Sequence, residues 1–115
     1  VTTSTLIGQT VRPFLTPAYQ YLRETDKLPS TDEAHGQDDP WLLVKLFTPD
    51  SSWTWYVAGY DHATHIAWGL VDGFEQELGD FWMPELVEVR GAFRLPIERD
   101  LHWQPKRLSD VMKET

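Results

Sequence analysis

Near the C-terminal end, the segment "ERDLH" sets Glu98, Asp100 and His102 at every second position. In an extended strand alternate side chains leave on one face, so two carboxylates and an imidazole would project together. That set can hold a divalent metal or pass protons to and from a reacting group. The same three groups can equally face solvent, or pair with Arg94, Arg99 and the helix ends. A second candidate is "DHATH", where Asp61, His62 and His65 stand in or beside a turn. A His-x-x-His pair ligates metal when helical geometry brings the rings together, and an exposed turn does not provide that geometry. Metal at His62 and His65 is the weaker expectation, and no cofactor is implied anywhere. Tyr56 and Tyr60, expected on one strand face, are candidates for lining a small-molecule cleft.

Charge supplies a different kind of candidate. The chain carries 18 Asp and Glu against 10 Lys and Arg, a formal net charge of -8. That sign opposes phosphate neutralisation, so direct nucleic-acid binding is disfavoured. From Asp72 to Glu88 the acids Asp72, Glu75, Glu77, Asp80, Glu85 and Glu88 occur with no base among them. Such a run is either a solvated face or a surface for a basic protein partner.

Other chemistries find no residues to perform them. The chain has no cysteine, which removes disulfides, thiolate zinc sites and thiol nucleophiles. It has no Gly-x-Ser-x-Gly elbow and no Gly-rich phosphate loop ahead of a helix. No apolar run reaches the roughly 20 residues that span a bilayer, and the N-terminal residues lack a signal-peptide pattern. The expectation is a cytoplasmic protein with no membrane contact.

The elements that must position these groups follow from local patterning. Thr16 as cap and Pro17 at the first helical position predict a short helix through Glu24. The polar stretch from Lys27 to Pro40 reads as a loop. "WLLVKLF", "WTWYVAGYD" and "HIAWGLVDG", separated by "TPDSS" and "DHAT", predict a three-stranded antiparallel meander. Trp53, Trp55 and Val57 should share one face, and Thr54, Tyr56, Ala58 and Tyr60 the other. Both faces are then apolar, as in a sheet covered on each side, and the aromatic cluster reads as core. "FEQELGDFW" predicts a further strand, and "MPELVEVRG" a two-turn helix started by Pro84 and stopped by Gly91. Phe93–Trp103 resumes alternation, with Pro96 confining it to an edge or to a start at Ile97. Arg99 on its apolar side is expected to reach Glu75 or Glu77. "PKRLSDVM" closes as a turn or short helix. The fold class is a small single α+β domain, a mostly antiparallel sheet of four or five strands with a few short helices.

The blocks "KLFTPDSSWTWY", "GLVDGFEQELGDF", "ELVEVRG" and "LPIERDLHW", in that order, carry a resemblance to the bacterial domain of unknown function family 2958. The likeness covers about Leu28 to Val111, leaving 1–27 as an N-terminal extension with a short helix ahead of a family-like domain at 28–115. The resemblance implies a setting on plasmids, integrative elements and phages, near antirestriction, replication or transfer genes. It implies no catalytic or binding residues.

The leading expectation is a non-enzymatic interaction protein of a mobile element, its acidic stretch binding a basic, DNA-handling partner. The alternatives are a small metal-dependent enzyme built on Glu98, Asp100 and His102, or a ligand-binding module with an aromatic cleft. Six tryptophans also allow a strand edge that pairs with a second copy of the chain, giving a homo-oligomer.

Overall fold

The computed structural model describes residues 21–114. The Thr16 cap and Pro17 of the expected first helix lie outside the described residues, and Glu24–Asp26 is a 3-10 turn. The stretch read as a loop contains a helix, α1 (Thr31–His35). Ser30 Oγ accepts the Glu33 N–H at 3.1 Å and the Glu33 carboxylate accepts the Ser30 N–H at 2.9 Å. This reciprocal capping box satisfies the donors of the first turn.

Seven strands follow: β1 (Trp41–Leu42), β2 (Val44–Phe47), β3 (Thr54–Asp61), β4 (Ile66–Asp72), β5 (Gln76–Trp82), β6 (Glu98–Arg99) and β7 (Lys106–Arg107). Helices α2 (Met83–Glu88) and α3 (Leu108–Lys113) follow β5 and β7. The main sheet is five-stranded and antiparallel in the order β5-β4-β3-β2-β6, and β1 pairs separately with β7. The predicted meander is therefore present, with β5 forming one edge and β6 the other. It belongs to a single small α+β domain.

Each sheet face buries its own cluster. On one, Leu46, Trp55, Val57 and Ala67 pack with Met83, Leu86 and Ile97. On the other, Tyr56, Ala58, Trp68 and Leu70 pack with Ala34, Leu108 and Val111. Tyr21 and Leu22 are buried in the first cluster, so these two residues ahead of Leu28 belong to the same core. Two-sided burial explains why β3 and β4 carry almost no polar residue.

The alternation predicted for β3 holds only to Ala58. A bulge shifts the β3–β4 register between Val57 and Gly59. One extra residue reverses the sidedness beyond it, and Tyr60 joins the face of Trp55 and Val57. Close approach here is made possible by Gly69, where a Cβ would sit 1.8 Å from the Tyr56 carbonyl oxygen.

The C-terminal third departs further from prediction. Helix α2 ends at Glu88, before Gly91, and only Glu98–Arg99 of the expected strand at 93–103 pairs in the sheet. Asp50 accounts for part of this. Its Oδ2 accepts the N–H of Phe93 at 2.6 Å and of Leu95 at 3.2 Å, holding 91–95 as a loop in which Arg94 has φ 67. Pro96 stays outside β6, as a residue without an N–H must.

Candidate functional site

Glu98, Asp100 and His102 border one groove of about 480 Å³, together with Lys45, Phe47, Thr48 and the 51–54 turn. They do not project from one strand face, because β6 ends at Arg99 and the chain turns, with the Trp103 N–H donating to the Asp100 carbonyl at 3.3 Å. Asp100 is engaged: one carboxylate oxygen accepts the His102 backbone N–H at 2.9 Å, and the other lies 4.0 Å from Lys45 Nζ. Lys45 in turn lies over the rings of Tyr56 and Trp103, at 5.9 and 5.4 Å. Among the described residues, no hydrogen bond or ion pair joins the side chains of Glu98 or His102 to another group, so the three are neighbours without a relay. No three His, Asp or Glu side chains among the described residues converge on a point that a metal could occupy.

The other predicted sites are separated or already occupied. Tyr56 and Tyr60 lie on opposite sheet faces, because of the bulge, and line no common cleft. Burial, then the nearby charges of Asp72 and Glu114, raises the Tyr56 hydroxyl above its ordinary range. His65 Nδ1 is hydrogen-bonded to the Tyr60 hydroxyl at 2.8 Å, and the His62 ring stands edge-on to Tyr60 at 4.7 Å. Both imidazoles therefore pack on a tyrosine.

Arg99 meets neither Glu75 nor Glu77. Those acids lie at the β5 side, and four strand spacings separate β6 from β5, about 19 Å. Its guanidinium instead grips Asp26 with two bonds of 2.8 Å and donates to the Tyr21 carbonyl at 2.8 Å. Partial burial pushes the Asp26 carboxyl up. The hydrogen bonds from Arg99 and the Arg23 N–H, with both guanidinium charges, outweigh it and hold the carboxyl below the usual carboxylate range.

The acids of 72–88 occupy both faces of the sheet. Register places Asp72 and Asp80 on the side of Trp68 and Leu70, and Glu77 on the side of Ala67 and Val71. Glu85 and Glu88 are exposed on α2, whose Met83 and Leu86 are buried. They do not make one patch: Glu77 and Asp80 stand on the edge strand β5, facing opposite ways, Asp72 ends the inner strand β4, and Glu85 and Glu88 lie on α2. No Lys or Arg occurs between Lys45 and Arg90, and in this topology that interval is β3, β4, β5 and α2. The bases Lys45 and Arg99 lie on β2 and β6 and pair with Asp100 and Asp26, and Lys106, on β7 of the separate two-stranded sheet, pairs with Glu114.

A further acid, Asp32, flanks the edge strand β5. With Asp80 it borders a concavity of about 340 Å³ walled by Trp68, Leu78, Gly79 and His35. Reading 27–40 as a loop hid Asp32, although Ser30-Thr31-Asp32-Glu33 has the spacing of a capping box and would have placed a helix there.

These features define a small α+β protein with a groove of mixed charge beside β6 and two exposed carboxylates, Glu77 and Asp80, on the opposite edge strand. The chain belongs to the family described as protein of unknown function, DUF2958, whose model matches residues 19–114. No curated protein and no solved structure matches it. No helix among the described residues is long and apolar enough to cross a membrane.

Proposed function

We propose that this chain is a binding module that serves a mobile genetic element by engaging a basic protein partner through the acidic side of its sheet. The observation that carries the reading is the interval from Lys45 to Arg90 without a single base, folded into the strands that end at β5. Carboxylates with no base among them, even spread over both faces of one part of the sheet, attract a complementary surface at long range and raise its association rate. The partner implied by that charge is one with a Lys- or Arg-rich surface, as DNA-handling proteins have. The enzyme reading has less support, since Glu98, Asp100 and His102 share a groove but assemble neither a relay nor a ligand set.

The test is capture of partners from host lysate at low salt, with elution by a salt gradient. The expected result is a basic protein that leaves as salt rises. It should be lost when Glu77, Asp80 and Glu85 are changed to Lys, and retained when Asp38 and Asp110, outside the interval, are changed instead. Capture indifferent to the first set of charges would overturn the reading.

A further inference from the structure

We propose that the β5 edge takes up an extended, arginine-containing segment of a partner as a sixth strand, with one arginine seated between Asp32 and Asp80. This rests on the functional reading above and specifies how the acidic side would be used.

The first support is backbone geometry. The Gly73 N–H donates to the Glu75 carbonyl at 3.2 Å and the Met83 N–H to the His65 carbonyl at 2.9 Å. In an antiparallel pair these bonds fix the odd-numbered residues of β5 as the ones bonded to β4. The N–H and C=O groups of Leu78 and Asp80 therefore point off the sheet, and no strand among the described residues lies beyond them. The β4–β5 register runs from Asp72↔Gln76 to Ile66↔Trp82 without a break, and β5 contains no proline. A regular edge of seven residues is a template for strand addition. β6, at the other edge, has only two.

The second support is what flanks that edge. On the face of Trp68, Leu78 and Trp82 are 48% and 49% exposed and offer apolar footing. Between them stands Asp80, which opens into the concavity shared with Asp32. An arginine stem fits along Trp68 and Leu78 with its guanidinium at the two carboxylates. On the opposite face Glu77 is exposed, and the position of a Cβ on Gly79 has nothing within 4 Å, leaving room for a neighbouring side chain.

Charge decides among occupants. A second copy would bring a net charge of -8 against -8 and set its own Glu77 and Asp80 near those already there. A basic segment gains at both faces, with Arg beside Glu77 and Asp80 and apolar residues beside Leu78 and Trp82.

The test titrates the full chain with a capped seven-residue peptide of Val, Thr and Ala carrying arginines at its third and sixth positions. A control peptide has the same sequence with alternate backbone nitrogens methylated. The free peptide should slow hydrogen exchange of the Leu78 and Asp80 amides at least tenfold at saturation. The methylated peptide should bind at least tenfold more weakly, and Asp32→Asn with Asp80→Asn should weaken the free peptide similarly. Equal, salt-sensitive binding of both peptides would overturn strand addition while leaving the acidic-surface reading intact. No binding of either, with lysate capture still dependent on the acids, would also overturn it. Concentration-dependent protection of the same amides without peptide would overturn it in favour of a second copy.

Discussion

Removing the Asp26 charge tests how the segment ahead of α1 is fastened to the sheet. Asp26 and Arg99 side chains are 13% and 20% exposed and meet through two bonds of 2.8 Å. Hydrogen bonds to charged groups contribute roughly 1.5–3 kcal/mol, and breaking one side of a buried pair costs about 3–5 kcal/mol. With some solvent still present, Asp26→Asn should cost about 2–3 kcal/mol at neutral pH, a large fraction of a small domain's stability. The sign with pH follows from linkage. The folded carboxyl lies below its unfolded value, so its contribution is complete above an unfolded pKa of about 4 and is lost as pH falls through the folded value. Urea unfolding of the wild-type and Asp26→Asn chains between pH 7 and pH 3 should show the gap shrinking toward the acid end. Arg99→Met in the same series completes a double-mutant cycle. A gap constant with pH, or a coupling near zero, would refute the assignment.

Three further substitutions bear on the bulge, the end of α1 and the loop at 91–95. Gly69→Ala places a methyl where the Tyr56 carbonyl oxygen already stands, and should cost about 3 kcal/mol by urea unfolding. Gly36→Ala, whose nearest neighbour would be at 3.5 Å, should change stability by less than about 1 kcal/mol. Asp50→Ala releases the N–H groups of Phe93 and Leu95, and brief trypsin digestion should cut after the exposed Arg94 several-fold faster than in wild type. An unchanged cleavage rate would show that the loop is held by other contacts.

The central strands were legible because two-sided burial leaves a plain signature: β3 and β4 are nearly continuous apolar and aromatic runs between polar turns. What failed lies where a single contact overrides periodicity. Nothing in "WYVAGY" announces a bulge, since Ala58 and Gly59 suit a regular strand as well as an irregular one. The bulge arises from pairing with β4, and it was enough to separate Tyr56 from Tyr60. The run from Phe93 to Trp103 alternates well enough for a strand, but Asp50, over 40 positions earlier, captures its N–H groups. Glu98, Asp100 and His102 do not share a strand face as the alternation predicts; they border one groove because the chain turns after Arg99. The helix at Thr31–His35 was missed because polar composition outweighed a capping signal of only four residues.

Topology decides how the charge pattern of the sequence is laid out in the sheet. In a meander, neighbours in sequence become neighbours in the sheet, so the interval without bases between Lys45 and Arg90 stays together as β3, β4 and β5, with Lys45 bordering it over Tyr56. A crossover connection would have dispersed it. The acids then have two consequences at the same edge. Glu77 and Asp80 hinder β5 from pairing with β5 of another copy, because like charges set close together in a shared ladder repel. The identical charges attract a strand of opposite sign. An edge shielded from itself by carboxylates has no need of a proline or an internal bulge, and β5 has neither. Exchanging Glu77 and Asp80 for lysine would therefore be expected to reverse the preference toward acidic segments while still opposing self-pairing. Neutralising both to serine removes the repulsion and should promote self-association, measurable by sedimentation, in proportion to the exposed apolar surface of Leu78 and Trp82. A serine variant that stays monomeric at high concentration would show that something other than charge protects this edge.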